Sequence, residues 1–120
     1  MTAEEWVYTI NQLVGKTRAG RITWHFDTTG HAAQADVGGF KITFEFAALR
    51  VDQQIVAQPD SLKVTLRSVT GARLADLGEA EAKTMAGEAD ELALRTLFAA
   101  IVVEPHRQAI DDFRKALTDL

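Results

Sequence analysis

The stretch FKITFEFAAL, Phe40 to Leu49, decides the fold. Phe40, Ile42, Phe44 and Phe46 alternate with Lys41, Thr43 and Glu45, the period of two that marks a strand with one buried and one wet face. Four large apolar side chains on one face need a cover, and the strongest amphipathic helical patterns lie at the two ends of the chain. A sheet with helices laid on one face is therefore the expected plan.

Working backwards from this strand, Ala32–Val37 reads as its hairpin neighbour and Arg21–Thr28 as the strand before that. Gly38-Gly39 and Thr29-Gly30 suit tight two-residue turns. With both turns tight, Phe26 faces Ala33 and then Phe44, Trp24 faces Ala35 and then Ile42, and Ile22 faces Val37 and then Phe40. A slip of one residue would turn every apolar side chain to the wrong face, so this parity specifies the register. It also predicts a trough with Ala33 and Ala35 as its floor, in which a helix seats. Further back, Thr2 and Glu5 form a capping box. Trp6, Val7, Ile10, Leu13 and Val14 then make one apolar stripe, so a helix is expected over Ala3 to Arg18, closed by Gly20. Tyr8 lies off that stripe.

Working forwards, residues 50–59 mix polar residues with Val51, Ile55 and Val56, and read equally as a loop, an edge extension or a bulged strand. Ser61–Val69 is a fourth strand with Leu62, Val64 and Leu66 inward. Ala72–Leu77 is a fifth. A two-residue turn at Thr70-Gly71 puts Ala75 and Leu77 inward, whereas a three-residue turn with a bulge puts Leu74 opposite Leu66. The run EAEAKTMA before Gly87 is compatible with a short helix. Leu94, Leu97, Phe98, Ile101 and Val102 form a second helical stripe, with Asp90 as the expected cap. Pro105 removes a backbone donor and clashes one turn back, so the helix breaks or kinks near Val103 to Glu104, and Ile110, Phe113 and Leu117 continue the apolar face beyond it. The expected class is α+β: residues 1–120 as a single domain, an antiparallel meander sheet of about five strands, and an N-terminal and a broken C-terminal helix on one face.

Composition narrows the chemistry. The chain has 120 residues, 47% hydrophobic and 25% charged, a balance that supports one core and gives no case for disorder. There is no cysteine, which excludes disulfides, thiol nucleophiles and thiolate metal sites. The opening MTAEEWVYTINQL does not read as a signal peptide, no apolar run approaches a membrane span, and a cytoplasmic location is expected. Residues 1–78 carry eight acids and eight bases, while 79–120 carry nine acids and five bases, so the net charge of −4 lies wholly in the last third. That distribution argues against a nucleic-acid footprint.

No motif carries a reaction. His25, His31 and His106 have no metal-ligand spacing, and no metal or cofactor is expected. Gly38-Gly39 belongs to no phosphate loop, and Ser61 and Ser68 sit in no nucleophile elbow. Lys63, Arg67 and Arg73 lack the interleaved aromatics of an RNA-binding sheet. One cluster stands out from the register. His25, Gln34 and Thr43 share a row on the open face, with Asp36 and Lys41 in the next row, a candidate for ligand binding whose plainer and preferred reading is a solvated face of cross-strand polar pairs.

The run LVGKTRAGRITW, with Leu13, Thr17, Gly20, Ile22 and Trp24, followed by a meander and a Leu-rich terminal helix, resembles a group of small bacterial α+β proteins. The resemblance implies the fold and no activity. Three functions are therefore expected in descending order: a non-enzymatic interaction or regulatory module acting through a helical surface or sheet edge, a ligand-binding domain on the open sheet face, and an enzyme using His25 with Asp36 or Glu45. A protein partner or self-association as a homodimer is expected, since an edge strand and a long C-terminal helix both need covering.

Overall fold

A computed structural model describes residues 1–52, 54–80 and 88–120. Its first element is the helix α1 (Ala3–Arg18), with the bounds that the caps demand. The Thr2 hydroxyl accepts from the Glu5 N–H at 3.2 Å and the Glu5 carboxylate accepts from the Thr2 N–H at 3.1 Å. At the other end Gly20 is left-handed, the Arg21 N–H donates to the Lys16 carbonyl and the Gly20 N–H to that of Thr17. Together these bonds satisfy the carbonyls that a helix end leaves open.

Seven strands follow: β1 (His25–Phe26), β2 (Ala32–Val37), β3 (Phe40–Glu45), β4 (Ala48–Val51), β5 (Gln54–Ala57), β6 (Lys63–Arg67) and β7 (Arg73–Gly78). Five form an antiparallel sheet in the order β1-β2-β3-β6-β7, while β4 and β5 pair only with each other. The expected register holds through the centre, with Phe26 opposite Ala33, Ala33 opposite Phe44, Ala35 opposite Ile42 and Val37 opposite Phe40. Gly38 and Gly39 both have positive φ, at 59° and 87°, as the tight turn requires, and a side chain at Gly39 would meet Val69 at 3.1 Å. The β1–β2 turn reaches the same register differently. The Gly30 N–H donates to the Asp27 carbonyl, and the Asp27 carboxylate accepts from the backbone N–H groups of His31 and Ala32 and from the Thr29 hydroxyl.

Three expectations are corrected and one open alternative is decided. The strand expected over Arg21–Thr28 shrinks to two residues, because Trp24 instead donates its indole N–H to the Thr17 hydroxyl at 2.9 Å and packs beside the end of α1. Phe40, expected in the core, is 44% exposed, since it sits at the turn end of its hairpin beside an equally open Val37. Phe40–Leu49 is not one strand: β3 ends at Glu45, and the chain leaves the sheet at Phe46–Ala47 to start the separate β4–β5 hairpin. Within the stretch left open, 50–51 and 54–57 are thereby strand. Finally, the β6–β7 connection takes the three-residue turn of one alternative and the inward set of the other, with Leu66 opposite Ala75 and not Leu74. The Ser68 N–H bonds the Ala72 carbonyl around a three-residue loop with Gly71 left-handed. A register shift between Leu66 and Arg67 then absorbs Leu74, so that Ala75 and Leu77 point inward after all.

Two helices complete the described residues: α2 (Glu88–Phe98) and α3 (Glu104–Thr118), joined by a π-helical stretch, Ala99–Val103. The short helix expected over the run 79–86 is seen in its first two residues, Glu79 and Ala80, which are helical, and the rest of that run lies outside the described residues. Because α2 already includes Glu88, Asp90 lies within it and is not its cap. The break foreseen at Pro105 takes the form of the π turn. The Glu104 N–H reaches back five residues to Ala99, and the wider turn accommodates a proline that sits in the first turn of α3.

The core lies between the inner sheet face and α1 with α2. Ile10, Phe44, Leu62, Val64, Leu77, Leu94 and Leu97 are fully buried, and each large side chain of this kind contributes about 1.5 to 3 kcal/mol. Phe46 is its junction, with ring centroids 5.9 Å from Phe44, 5.7 Å from Phe98 and 6.3 Å from Phe26. At the edge of the core the Glu79 carboxylate is fully buried, 2.8 Å from Nε of Arg95. The N–H direction misses a hydrogen bond, so charge balance rather than a directed bond compensates this carboxylate.

Candidate functional site

The polar row comes together as the register demands. His25 lies opposite Gln34, Gln34 opposite Thr43 and Thr43 opposite Thr65, with Asp36 opposite Lys41 one row on. His25, Gln34, Asp36 and Lys41 are exposed and line a hollow of about 90 Å³, so this sheet face is open rather than roofed. Small-molecule sites usually enclose about 300 to 1,000 Å³. The row therefore lacks the volume and water exclusion of such a site. Among the described residues no group of three His, Asp or Glu side chains could hold a metal ion.

A second surface has a different character, and its parts are far apart in sequence. The hairpin turns Arg50, Ile55 and Ala57 to one face and Leu49, Val51 and Val56 to the other, and the latter three are exposed. One hollow of about 320 Å³ lies between the hairpin and the body, lined by Phe26, Phe46, Leu49, Ile55 and Val102 among others. A neighbouring hollow of about 390 Å³ shares Ile55 and runs along α3, with Val103 and Ile110 as its apolar floor and His106, Arg107, Asp111 and Arg114 at its polar rim. Ile55 thus joins two hollows into one continuous surface.

The helix beside this groove overturns a further expectation. Ile110, Phe113 and Leu117 continue the helical stripe but not the core, being 42%, 66% and 57% exposed, and no residue of α3 is buried. The molecule measures 52 × 32 × 25 Å. Its radius of gyration, 15.3 Å, exceeds the ~13.6 Å of a compact chain of this length. The base of α3 is tied down by Arg18 of α1, whose Nε and guanidinium nitrogen each donate to the Glu104 carboxylate at 3.0 Å. That paired hydrogen bond, then the attraction of the carboxylate, raises the Arg18 pKa. Beyond this anchor Ile110 faces the hollow beside the β4–β5 hairpin, while Phe113 and Leu117 stand open to solvent among the described residues.

Sequence reasoning found the polar row from parity alone. It missed the hairpin–helix surface, because only the fold brings Phe26, Leu49, Ile55 and Ile110 near one another. The spacing of Ile110, Phe113 and Leu117 was visible, but a stripe that docks internally and one that docks elsewhere look alike. Among the described residues no helix is long and apolar enough to cross a membrane. Comparison with protein-family models, with curated proteins and with solved structures finds no match to this chain.

Proposed function

We propose that this protein is a non-enzymatic interaction module of the cytoplasm, acting through the exposed face of α3 and the groove it makes with the β4–β5 hairpin. One observation carries the reading: a 15-residue amphipathic helix presents Ile110, Phe113 and Leu117 to solvent and buries nothing. Contiguous exposed apolar surface of this kind, with a polar rim, is what interaction sites present. A helix laid in a groove and read through residues three, four and seven apart is a recurrent recognition mode. The adjoining hollows, with Ile55 between them, extend the surface beyond the helix.

A photo-cross-linking residue placed at Phe113, in cells that carry the protein natively, tests this. The expected result is a discrete protein adduct whose yield falls when Ile110 and Leu117 are changed to Ser. The control is the same residue at Tyr8, which is exposed on α1 away from its stripe. Equal labelling from the two positions would refute the reading.

A further inference from the structure

We infer that the occupant of this surface is a second copy of the chain, its α3 lying parallel to the first about a two-fold axis that runs along the two helices. The inference rests on α3 being a docking surface and names what docks. Two features support it.

The first is the spacing. His106, Ile110, Phe113 and Leu117 follow one another at four, three and four residues. That is the 3.5-residue repeat of a helix-pair seam rather than the broad stripe of a helix laid on a sheet.

The second is the placing of charge along the two flanks of the seam. Arg107 and Arg114, seven residues apart, lie on one flank, which stays net positive although Asp111 lies behind them; Asp112 and Asp119, also seven apart, lie on the other, with Ala109 and Ala116 between the seam and these aspartates. A two-fold axis along the helices sets the basic flank of each copy against the acidic flank of the other, and the small alanines leave room for Arg114 to reach Asp112 of the other copy. A two-fold axis across the helices sets arginine against arginine and aspartate against aspartate. Charge complementarity thus selects the parallel pair. The groove agrees, because its rim, Arg107, Arg114 and Asp111 with His106, carries more positive than negative charge where the acidic flank of the second helix would enter. Among the described residues neither guanidinium has an ion-pair partner within its own chain.

Sedimentation velocity over about 1 μM to 1 mM, spanning ordinary affinities, combined with single-cysteine cross-linking, decides the matter. The cysteine-free chain makes such variants clean. Wild type is expected to pass from monomer to dimer with concentration, and Phe113→Glu to remain monomeric, with the melting temperature of wild type in dilute protein. Arg114→Asp and Asp112→Arg are each expected to weaken the dimer several-fold, and the two together to restore it. Ile110→Cys and Leu117→Cys lie about 10.5 Å apart along the helix, and a disulfide needs Cα atoms within about 7 Å. In a parallel pair both variants cross-link to their own counterparts, whereas an antiparallel pair permits at most one. Cross-linking at one position only, or a monomer throughout the range, would overturn the inference. A monomer that still gives a cross-link from position 113 to a different protein would overturn this inference while leaving the interaction module intact.

Discussion

The two ends of the chain carry helices of nearly equal length and similar pattern, and the fold treats them oppositely. α1 buries Trp6, Ile10, Leu13 and Val14 against the core, whereas α3 buries nothing. The difference lies in what each helix can reach. The Schellman turn at Gly20 and the bond from Trp24 to Thr17 fold the chain back so that α1 lies against the sheet. The π turn and Pro105 lead α3 away from the sheet after α2 has taken the remaining inner face. Amphipathicity states that a helix has a face to cover; only topology says whether its own chain covers it.

The sharpest way to break this comparison is truncation at matched positions. Phe44→Ala and Ile10→Ala remove fully buried side chains and are expected to cost about 3 to 5 and about 2 to 5 kcal/mol in chemical denaturation. Phe113→Ala should stay within about 0.5 kcal/mol for the monomer. An equal loss from Ile10→Ala and Phe113→Ala at low concentration would show that α3 is part of the core. Next in size is Arg95→Met, which leaves the buried Glu79 carboxylate without its charge partner. Loss of one member of a buried pair costs about 3 to 5 kcal/mol, and the solvent access of Arg95 places this variant near the lower figure. Ala35→Phe, on the floor of the trough, should cost about 1 to 3 kcal/mol by overpacking. A wild-type melting curve for that variant would contradict the register.

The smallest effect concerns pH. Burial tends to raise the Asp27 pKa, but hydrogen bonds from the Thr29 hydroxyl and from the His31, Ala32 and Gly30 N–H groups outweigh it and hold the carboxyl below its usual range. Glu5 is lowered likewise, chiefly by the Thr2 backbone N–H and then by its hydroxyl. A carboxylate with a lowered folded-state pKa stabilises the fold above its unfolded value and loses that contribution as pH falls through the folded value. The β1–β2 turn and the start of α1 should therefore loosen below about pH 4. Amide shifts of His31 and Glu5, followed by NMR during acid titration, would report it, and Asp27→Asn should remove the His31 response.

The sheet was legible because its residues constrain one another. Phe26, Ala33 and Phe44 agree in parity with Ala35 and Ile42 only in one register, and β6 with Leu62 and Val64 fits the same rule. Legibility failed where a local signal had two outcomes. The turn at Thr70-Gly71 took the three-residue form of one alternative and, through a bulge at Leu74, the inward set of the other, a compromise that neither turn type announces. Residues 48–57 lacked clean alternation because each face of their hairpin mixes polar and apolar residues. Pro105 announced a break but not the π turn that accommodates it. The polar row of His25, Gln34, Asp36 and Thr43 was readable for the same reason as the sheet, since it is the sheet's other face. The hairpin–helix surface depends on Ile55 lining one hollow with Val102 and another with Val103, a juxtaposition that no local pattern encodes.

The central claim is that α3 is held by a partner rather than by its own fold, and amide hydrogen exchange measured helix by helix at two protein concentrations tests it most directly. Protection in α1 should be the same at both concentrations. Protection in α3 should be weak when the protein is dilute, rise when it is concentrated, and lose that rise in Phe113→Glu. Protection of α3 equal to that of α1 in dilute protein, and unchanged by Phe113→Glu, would contradict the account.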